Sequence, residues 1–244
     1  MADSKVALIT GGGTGIGRAC ALKLAKNGYH VVINYSRSAK EAEETAQEVE
    51  HSGALAMVYR ASVENDGEVL AMVDAALERF GRIDVLINNA GVTDFVDHSN
   101  LEGLTDEYWD RVMNVNVKGL FHCSRAAASA LKKHSGCIVN VASVAGITGL
   151  GSSIAYAASK AAAISVTKSL ARVLAPQVRV NAVAPGIVDT RWVAGQKDHV
   201  ERLAAGTPLQ RVALPEDVAE AVYALIETKF VTGEVLRVDG GQFI

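Results

Sequence analysis

Cysteine is scarce in this chain, and the three present, Cys20, Cys123 and Cys137, stand far apart. No C-x-x-C pair and no histidine pair at ligand spacing accompanies them, so nothing points to a metal site, and the thiols are expected to be buried and reduced. Any block of lysine or arginine is also missing. With a formal charge of −3 the chain carries no electrostatic footprint for nucleic acid or an anionic membrane, and neither is expected as a partner. No run approaches the roughly 20 apolar residues of a membrane span. The first residues, Met1-Ala2-Asp3-Ser4-Lys5, lead into an apolar strand-like run without the basic and apolar regions of a signal peptide, so a cytoplasmic protein is expected. Solenoid-length repeats and low-complexity linkers are absent as well.

Hydrophobic residues make up 49% of the 244 and charged residues 21%, enough apolar material for a full core. Short β-branched runs alternate with longer helical stretches from one end to the other, the pattern of a parallel sheet covered on both faces. Strands are predicted at Val6–Thr10, Val31–Tyr35, Leu55–Tyr59, Val85–Asn88, Cys137–Ala142, Val178–Ala184 and Val235–Val238. Helices are predicted near 15–28, 39–51, 66–80, 105–133, 155–175 and 215–227. Unbroken alternation across seven strands argues for one α/β domain over 1–244, a doubly wound seven-stranded parallel sheet. The single long irregular stretch, about 187–213, leaves the sixth strand at the edge where such sheets bind ligands, and is expected to form a substrate loop.

Thr10-Gly11-Gly12-Gly13-Thr14-Gly15-Ile16-Gly17 follows the first strand and opens a helix. A pyrophosphate at a helix N-terminus meets unpaired N–H groups and the positive end of the dipole, and glycine lets the backbone come close. The spacing, Gly11, Gly15 and Gly17, is G-x-x-x-G-x-G rather than the commoner G-x-G-x-x-G. The second strand ends Asn34-Tyr35-Ser36-Arg37-Ser38, with no acidic residue for ribose hydroxyls and with one always-charged guanidinium. NADP(H) is therefore favoured, with NAD(H) the alternative if Arg37 only faces solvent.

Ser143 closes an apolar strand-like run, and Tyr156 and Lys160 lie one helical turn apart on a common face. A free tyrosine titrates near pH 10, and an adjacent ammonium would lower that value by favouring the phenolate. The trio thus reads as an acid/base device with a serine hydroxyl to hold a substrate oxygen. Each of the three residue types is common on half-exposed helix faces, so the reading depends on the company they keep.

That company is extensive. T-G-x-x-x-G-x-G at 10–17, Asn88-Asn89-Ala90-Gly91 after the fourth strand, Asn116, Ser143, Tyr156-x-x-x-Lys160 and Pro185-Gly186 together make the whole chain resemble the short-chain dehydrogenase/reductases. The resemblance implies a single Rossmann-type domain that transfers hydride between a nicotinamide and a carbonyl or alcohol carbon. Tyr156 would protonate the carbonyl oxygen and Ser143 orient it. Lys160 would tune the tyrosine and hold the nicotinamide ribose, and Asn116 would disturb its helix and hold a water that relays protons to the lysine. Cofactor contacts are implied at Gly11, Thr14, Gly15, Ile16 and Gly17 on the turn, at Ser36 and Arg37, and at Ser62 and Val63. Further contacts are implied at Asn89, Ala90 and Gly91, at Tyr156 and Lys160 themselves, and at Pro185, Gly186, Val188 and Thr190. Two departures stand out: Ser62 replaces the Asp or Asn that commonly touches the adenine amine, and the 225–230 connection is short.

Within the family the chain looks closest to the 3-oxoacyl-acyl-carrier-protein reductases, through Asn34–Lys40 and the Val238-Asp239-Gly240-Gly241 ending. Arginines that meet an acidic carrier are replaced by His134 and Pro176-Gln177, leaving Lys132, Lys133 and Arg172 as candidate substitutes. An acyl-carrier-protein thioester and a small free carbonyl or alcohol are thus both open as substrates. Phe95 and Trp192 are candidate pocket walls, and a homotetramer or dimer is expected from the small residues on the two long helices. A serine hydrolase would need a G-x-S-x-G elbow, which Val141-Ala142-Ser143-Val144-Ala145 does not supply. A non-catalytic nucleotide-binding relative would be expected to lack the tyrosine or the lysine, and both are present.

Overall fold

The computed structural model describes residues 4–192 and 202–244. Seven strands form one parallel sheet: β1 (Val6–Ile9), β2 (His30–Tyr35), β3 (Ala56–Arg60), β4 (Val85–Asn88), β5 (Cys137–Val141), β6 (Arg179–Pro185) and β7 (Val235–Val238), in the order β3-β2-β1-β4-β5-β6-β7. The chain winds outward in one direction from β1 to β3 and in the other from β4 to β7. The switch lies between β1 and β4, where Ala7 to Ile9 pair with Val85 to Ile87, and their carboxyl ends open a crevice at that point.

Alternation along the strands feeds two cores. Ala7, Ile9, Val31, Ile33, Val85 and Ile87 pack with α1 (Gly15–Lys26), α2 (Ala39–His51) and the C-terminal helix. Val6, Leu8, Val32, Leu86 and Ile138 face the other side, toward α3 (Asp66–Phe80) and the two long helices. Strands buried on both faces are continuous apolar runs, which is why they stand out in the sequence. The edge strand β7 is half-exposed and shows that pattern least.

Most elements fall within one or two residues of expectation; β3 and β6 each start one residue later, at Ala56 and Arg179. The largest difference concerns 105–133. It is three segments: α4 (Asp106–Met113), a π-helical stretch Asn114–Gly119, and α5 (Leu120–Lys133). Asn116 accounts for the break, because both ends of its amide are committed outside the helix. Its Oδ1 accepts from the Val92 N–H at 2.8 Å and its Nδ2 donates to the Val92 carbonyl at 3.0 Å. A short helix, α6 (Ala145–Thr148), was not expected. It precedes α7 (Ile154–Leu174), and α8 (Pro215–Glu227) carries proline in its first turn.

The expected substrate loop is described at its two ends, and 193–201 lie outside the described residues. Those ends are tied together: the Asp189 N–H donates to the Ala213 carbonyl at 2.8 Å and the Ala213 N–H to the Ile187 carbonyl at 3.1 Å. Among the described residues no helix is long and apolar enough to cross a membrane, and no cluster of His, Cys, Asp or Glu suits a metal. All three cysteines are free and buried.

Candidate active site

The glycine turn is shaped by residues that arrive from distant strands. Thr10 Oγ1 accepts from the N–H groups of Asn89 and Ala90, both at 3.0 Å. The Asn89 amide returns two bonds, to the carbonyls of Thr10 and Gly11 at 3.0 Å each. Asn34 Oδ1 accepts from the Gly11 N–H at 3.3 Å. Gly11 and Gly15 have φ of 61° and 52°, the left-handed region open to glycine. At Gly17 the constraint is space, since an added Cβ would lie 2.3 Å from the Gly11 carbonyl oxygen and 2.6 Å from Asn89 Nδ2.

Helix α1 starts here, and the Thr14 side chain does not cap it. Its leading N–H groups are thus directed at the cleft without a side-chain acceptor, the requirement for a phosphate at a helix N-terminus. Thr190 covers the turn from the other side, its methyl 3.4 Å from a Cβ placed on Gly15. A dinucleotide pyrophosphate fits this cradle, which side chains would otherwise fill.

One cleft of about 1430 Å³ runs from the turn to the serine–tyrosine–lysine trio. Along it lie Gly11, Thr14, Gly15, Ile16, Ser36, Arg37, Ser62, Val63, Asn89, Ala90 and Gly91, and at the far end Ser143, Tyr156, Lys160, Pro185, Gly186, Val188 and Thr190. Two sequence-predicted residues do not line it. Gly17 is buried beneath Gly11, and Asn116 is buried behind Gly91. At position 62, Glu68 accepts from the Ser62 N–H at 2.7 Å and Glu64 from its hydroxyl at 3.2 Å.

Helix α7 presents Tyr156 and Lys160. Its N-cap, Ser153, accepts from the Tyr156 N–H at 3.1 Å. Ser153 is itself in contact with Tyr108, whose hydroxyl lies 3.0 Å from Ser153 Oγ and accepts from the Asp94 N–H at 2.7 Å. Tyr108 therefore joins the loop after β4 to the start of α7, a role that no sequence motif announces. The Val96 N–H adds a bond to the Ser152 carbonyl at 2.9 Å.

Lys160 is buried, and its Nζ donates to the Val141 carbonyl at 2.8 Å and lies 5.6 Å from the centre of the Tyr156 ring. Behind it, Asn116 Nδ2 donates to Ser159 Oγ at 3.0 Å, and Ser159 donates to the Tyr156 carbonyl at 2.7 Å. The Gly91 backbone leaves room at this junction; a Cβ on it would be 3.4 Å from Asn116 Oδ1 and 3.7 Å from Lys160 Nζ. Ser143 Oγ accepts from the Ala145 N–H at 3.1 Å, and its own proton is aimed at the Pro185 carbonyl at a loose 3.5 Å, so it is free to turn toward a ligand oxygen. Trp192 closes the site edge-on to Tyr156, with 6.3 Å between ring centres.

The electrostatics differ from the sequence expectation in one respect. Tyr156 keeps part of its surface open to the cleft, yet the atoms packed around it push its phenol up to about 12, and the nearby Ser143 hydroxyl pulls in the opposite direction. Burial likewise pushes Lys160 down to about 8. Desolvation is the largest influence on the phenol, ahead of the opposing Ser143 hydroxyl. A phenol held protonated is a proton donor, and a lysine that titrates near neutrality sits next to it.

A family profile described as enoyl-(acyl carrier protein) reductase matches residues 11–242. A Streptomyces violaceoruber protein that carries the name of ketoacyl reductase 2 of the granaticin polyketide synthase is 42% identical over 246 residues, 99% of this chain and 97% of that one. The 3-oxoacyl-(acyl-carrier-protein) reductase FabG of Staphylococcus aureus is 37% identical over 249 residues, 100% of both. A Burkholderia xenovorans crystal structure, described as a short-chain dehydrogenase/reductase, superposes with a TM-score of 0.94 at 38% identity and covers 99% of each chain.

Proposed function

This chain belongs to the short-chain dehydrogenase/reductase family of oxidoreductases, and from that premise we propose that it reduces a carbonyl to a secondary alcohol with NADP(H), residues 1–244 acting as one domain. The observation that carries the reading is the protonated, partly open Tyr156 beside Ser143 and Lys160, at one end of a cleft whose other end is the glycine turn. A bound reduced nicotinamide supplies hydride to the carbonyl carbon. Ser143 swings from Pro185 to hydrogen-bond the substrate oxygen and offset its growing charge. Tyr156 passes its proton to that oxygen. The charged form of Lys160 stabilises the resulting phenolate, and Asn116 holds the local helix geometry behind it and serves the path by which the proton is restored. Pro185, Gly186, Val188 and Thr190 shape the wall where the nicotinamide ring would rest, and Arg37 at the end of β2 favours NADP(H) over NAD(H).

The substrate reading is a 3-oxoacyl thioester, supported by the names of the two relatives, a ketoacyl reductase and a 3-oxoacyl-(acyl-carrier-protein) reductase. Reduction of a C=O rather than the C=C of the profile's description is supported by a phenol and a serine hydroxyl set to receive an oxygen. A small free ketone is the second reading, supported by His134 and the uncharged Pro176-Gln177 in place of carrier-docking arginines. Exposed Phe121 on α5 and Val173 on α7 leave apolar surface on the two long helices, in keeping with a homotetramer or dimer, and a cytoplasmic enzyme is the accompanying expectation. NADPH and NADH consumption with a panel that includes a 3-oxoacyl thioester, free and carrier-bound, and simple ketones tests both. Turnover of the carrier-bound thioester well above its free analogue, lost with rising salt, supports the first reading. Equal rates support the second, and no carbonyl turnover refutes both.

A further inference from the structure

Arginine is an engaged residue almost everywhere in this protein. Ion pairs hold Arg18 to Glu48, Arg82 to Asp84, Arg111 to Asp94, Arg125 to Asp66, Arg191 to Glu41 and Arg211 to Asp217. Backbone carbonyls accept from Arg79, Arg172, Arg179 and Arg237, and Arg202 has a partner too. Arg37 and Arg60 are the exceptions: neither side chain has a hydrogen bond, ion pair or ring contact among the described residues. Both line the same cleft, at the carboxyl ends of β2 and β3.

The sheet register explains how they come together. Tyr35 on β2 is the Cα partner of Arg60 on β3, and the Ala61 N–H donates to the Tyr35 carbonyl at 2.9 Å. Arg60 therefore stands beside the point where Ser36 and Arg37 leave the sheet. Arg60, Ser36 and Ser62 also wall a small adjoining recess of about 360 Å³, with Glu68 at its margin. That carboxylate is already accepting from the Ser62 N–H and the Asn65 amide, and Glu64 from the Ser62 hydroxyl. Neither acid pairs with Arg60. The glycine turn offers no competing cation, since 10–17 contains none and Arg18 is held by both oxygens of Glu48.

The uncommitted Arg60 guanidinium and the Ser36 hydroxyl at the recess, with the second uncommitted guanidinium, Arg37, on the cleft it adjoins, match a dianionic phosphate, which a single exposed arginine holds weakly. We propose that Arg60 is the second arginine of the 2′-phosphate subsite and, together with Arg37, sets the preference for NADP(H); the inference rests on the cofactor reading above. Arg60 contacts the phosphate from the β3 side and Arg37 from the β2 side, with Ser36 between them. The adenosine itself does not depend on Arg60.

Calorimetric titration with adenosine 2′,5′-bisphosphate and with 5′-AMP separates these statements without catalysis. The native protein binds the bisphosphate more tightly. Arg60→Gln weakens the bisphosphate by about tenfold, as expected for one lost charged contact at an exposed site, and leaves 5′-AMP unchanged; Arg60→Lys recovers part of the loss. A melting curve like that of the native protein shows that the variant is folded, as befits an exposed side chain. Equal binding of both ligands by the native protein overturns the NADP(H) reading and the subsite with it. A native preference that Arg60→Gln leaves intact overturns the role of Arg60 alone, as does an equal loss for both ligands.

Discussion

The two ends of the cleft are built from different materials. At the glycine turn the groups facing the cleft are backbone, and side chains such as Asn89, Thr10 and Asn34 work from behind to hold that backbone open. At the Tyr156 end the side chains themselves face the cleft, and two of them, Tyr156 and Lys160, are shifted from their ordinary titration ranges by burial. The first end tolerates no extra atom, and the second no change of functional group. Shape governs one and proton affinity the other.

Substitutions can test that contrast. Tyr156→Phe keeps the ring and removes one oxygen, so turnover should fall by about a thousandfold, the usual scale of a lost general acid, with NADPH binding measured by fluorescence unchanged. Surviving turnover would remove the acid from the scheme. Gly17→Ala should act in the opposite sense, because its Cβ would press on the Gly11 carbonyl and Asn89. A loss of about 3 kcal/mol in chemical denaturation is expected from such overpacking, with NADPH binding lost in parallel. A variant that melts like the native protein and binds normally would show that the turn is less tight than its geometry indicates.

Lys160→Met tests the cost of a buried charge. Because the folded lysine titrates near 8 instead of its ordinary 10.5, the charged form destabilises the fold fully below pH 8, and that penalty fades as pH rises from about 8 to about 10.5. The methionine variant should therefore melt higher than the native protein at pH 7, and the gap should close across that window while activity stays lost. Native turnover in the reductive direction should likewise decline as pH passes about 8 and the ammonium is lost. A variant less stable at pH 7 would mean that the Val141 hydrogen bond outweighs desolvation. The smallest change is Ser153→Ala, which removes the cap of α7 and should cost about 1 kcal/mol, read from the denaturation midpoint.

Much of the fold was legible because strands covered on both faces are apolar throughout, and Val6, Val31, Val85 and Cys137 each open or border such a run. The turn was legible because Gly11, Gly15 and Gly17 sit between a strand and a helix. What could not be read has a common cause. The π-helical stretch depends on Val92, the tie from the α7 cap to the loop after β4 on Tyr108, and the neighbourhood of Arg60 on its register with Tyr35; each is a pairing of residues remote in the chain. Composition around Asn116 gives no sign that its amide bonds elsewhere; only the family resemblance pointed to a disturbed helix there, and the π-helical stretch bears that out. The direction of the tyrosine's shift escapes the sequence for a related reason: the spacing of Tyr156 and Lys160 reveals a neighbouring cation but not how dry the corner around the phenol is.

The bonds from Asn89 to Thr10 and Gly11 also impose an order in time. The glycines of the turn leave the ribosome early, but the side chain that ties their carbonyls comes from beyond β4, and Asp84, which accepts from the Val6 N–H at 2.8 Å, is no closer. A nascent chain synthesised as far as Phe80 holds the whole phosphate cradle as sequence and still lacks Asn89. The N-terminal segment therefore keeps an unfinished glycine turn until the fourth strand is made and inserted beside the first.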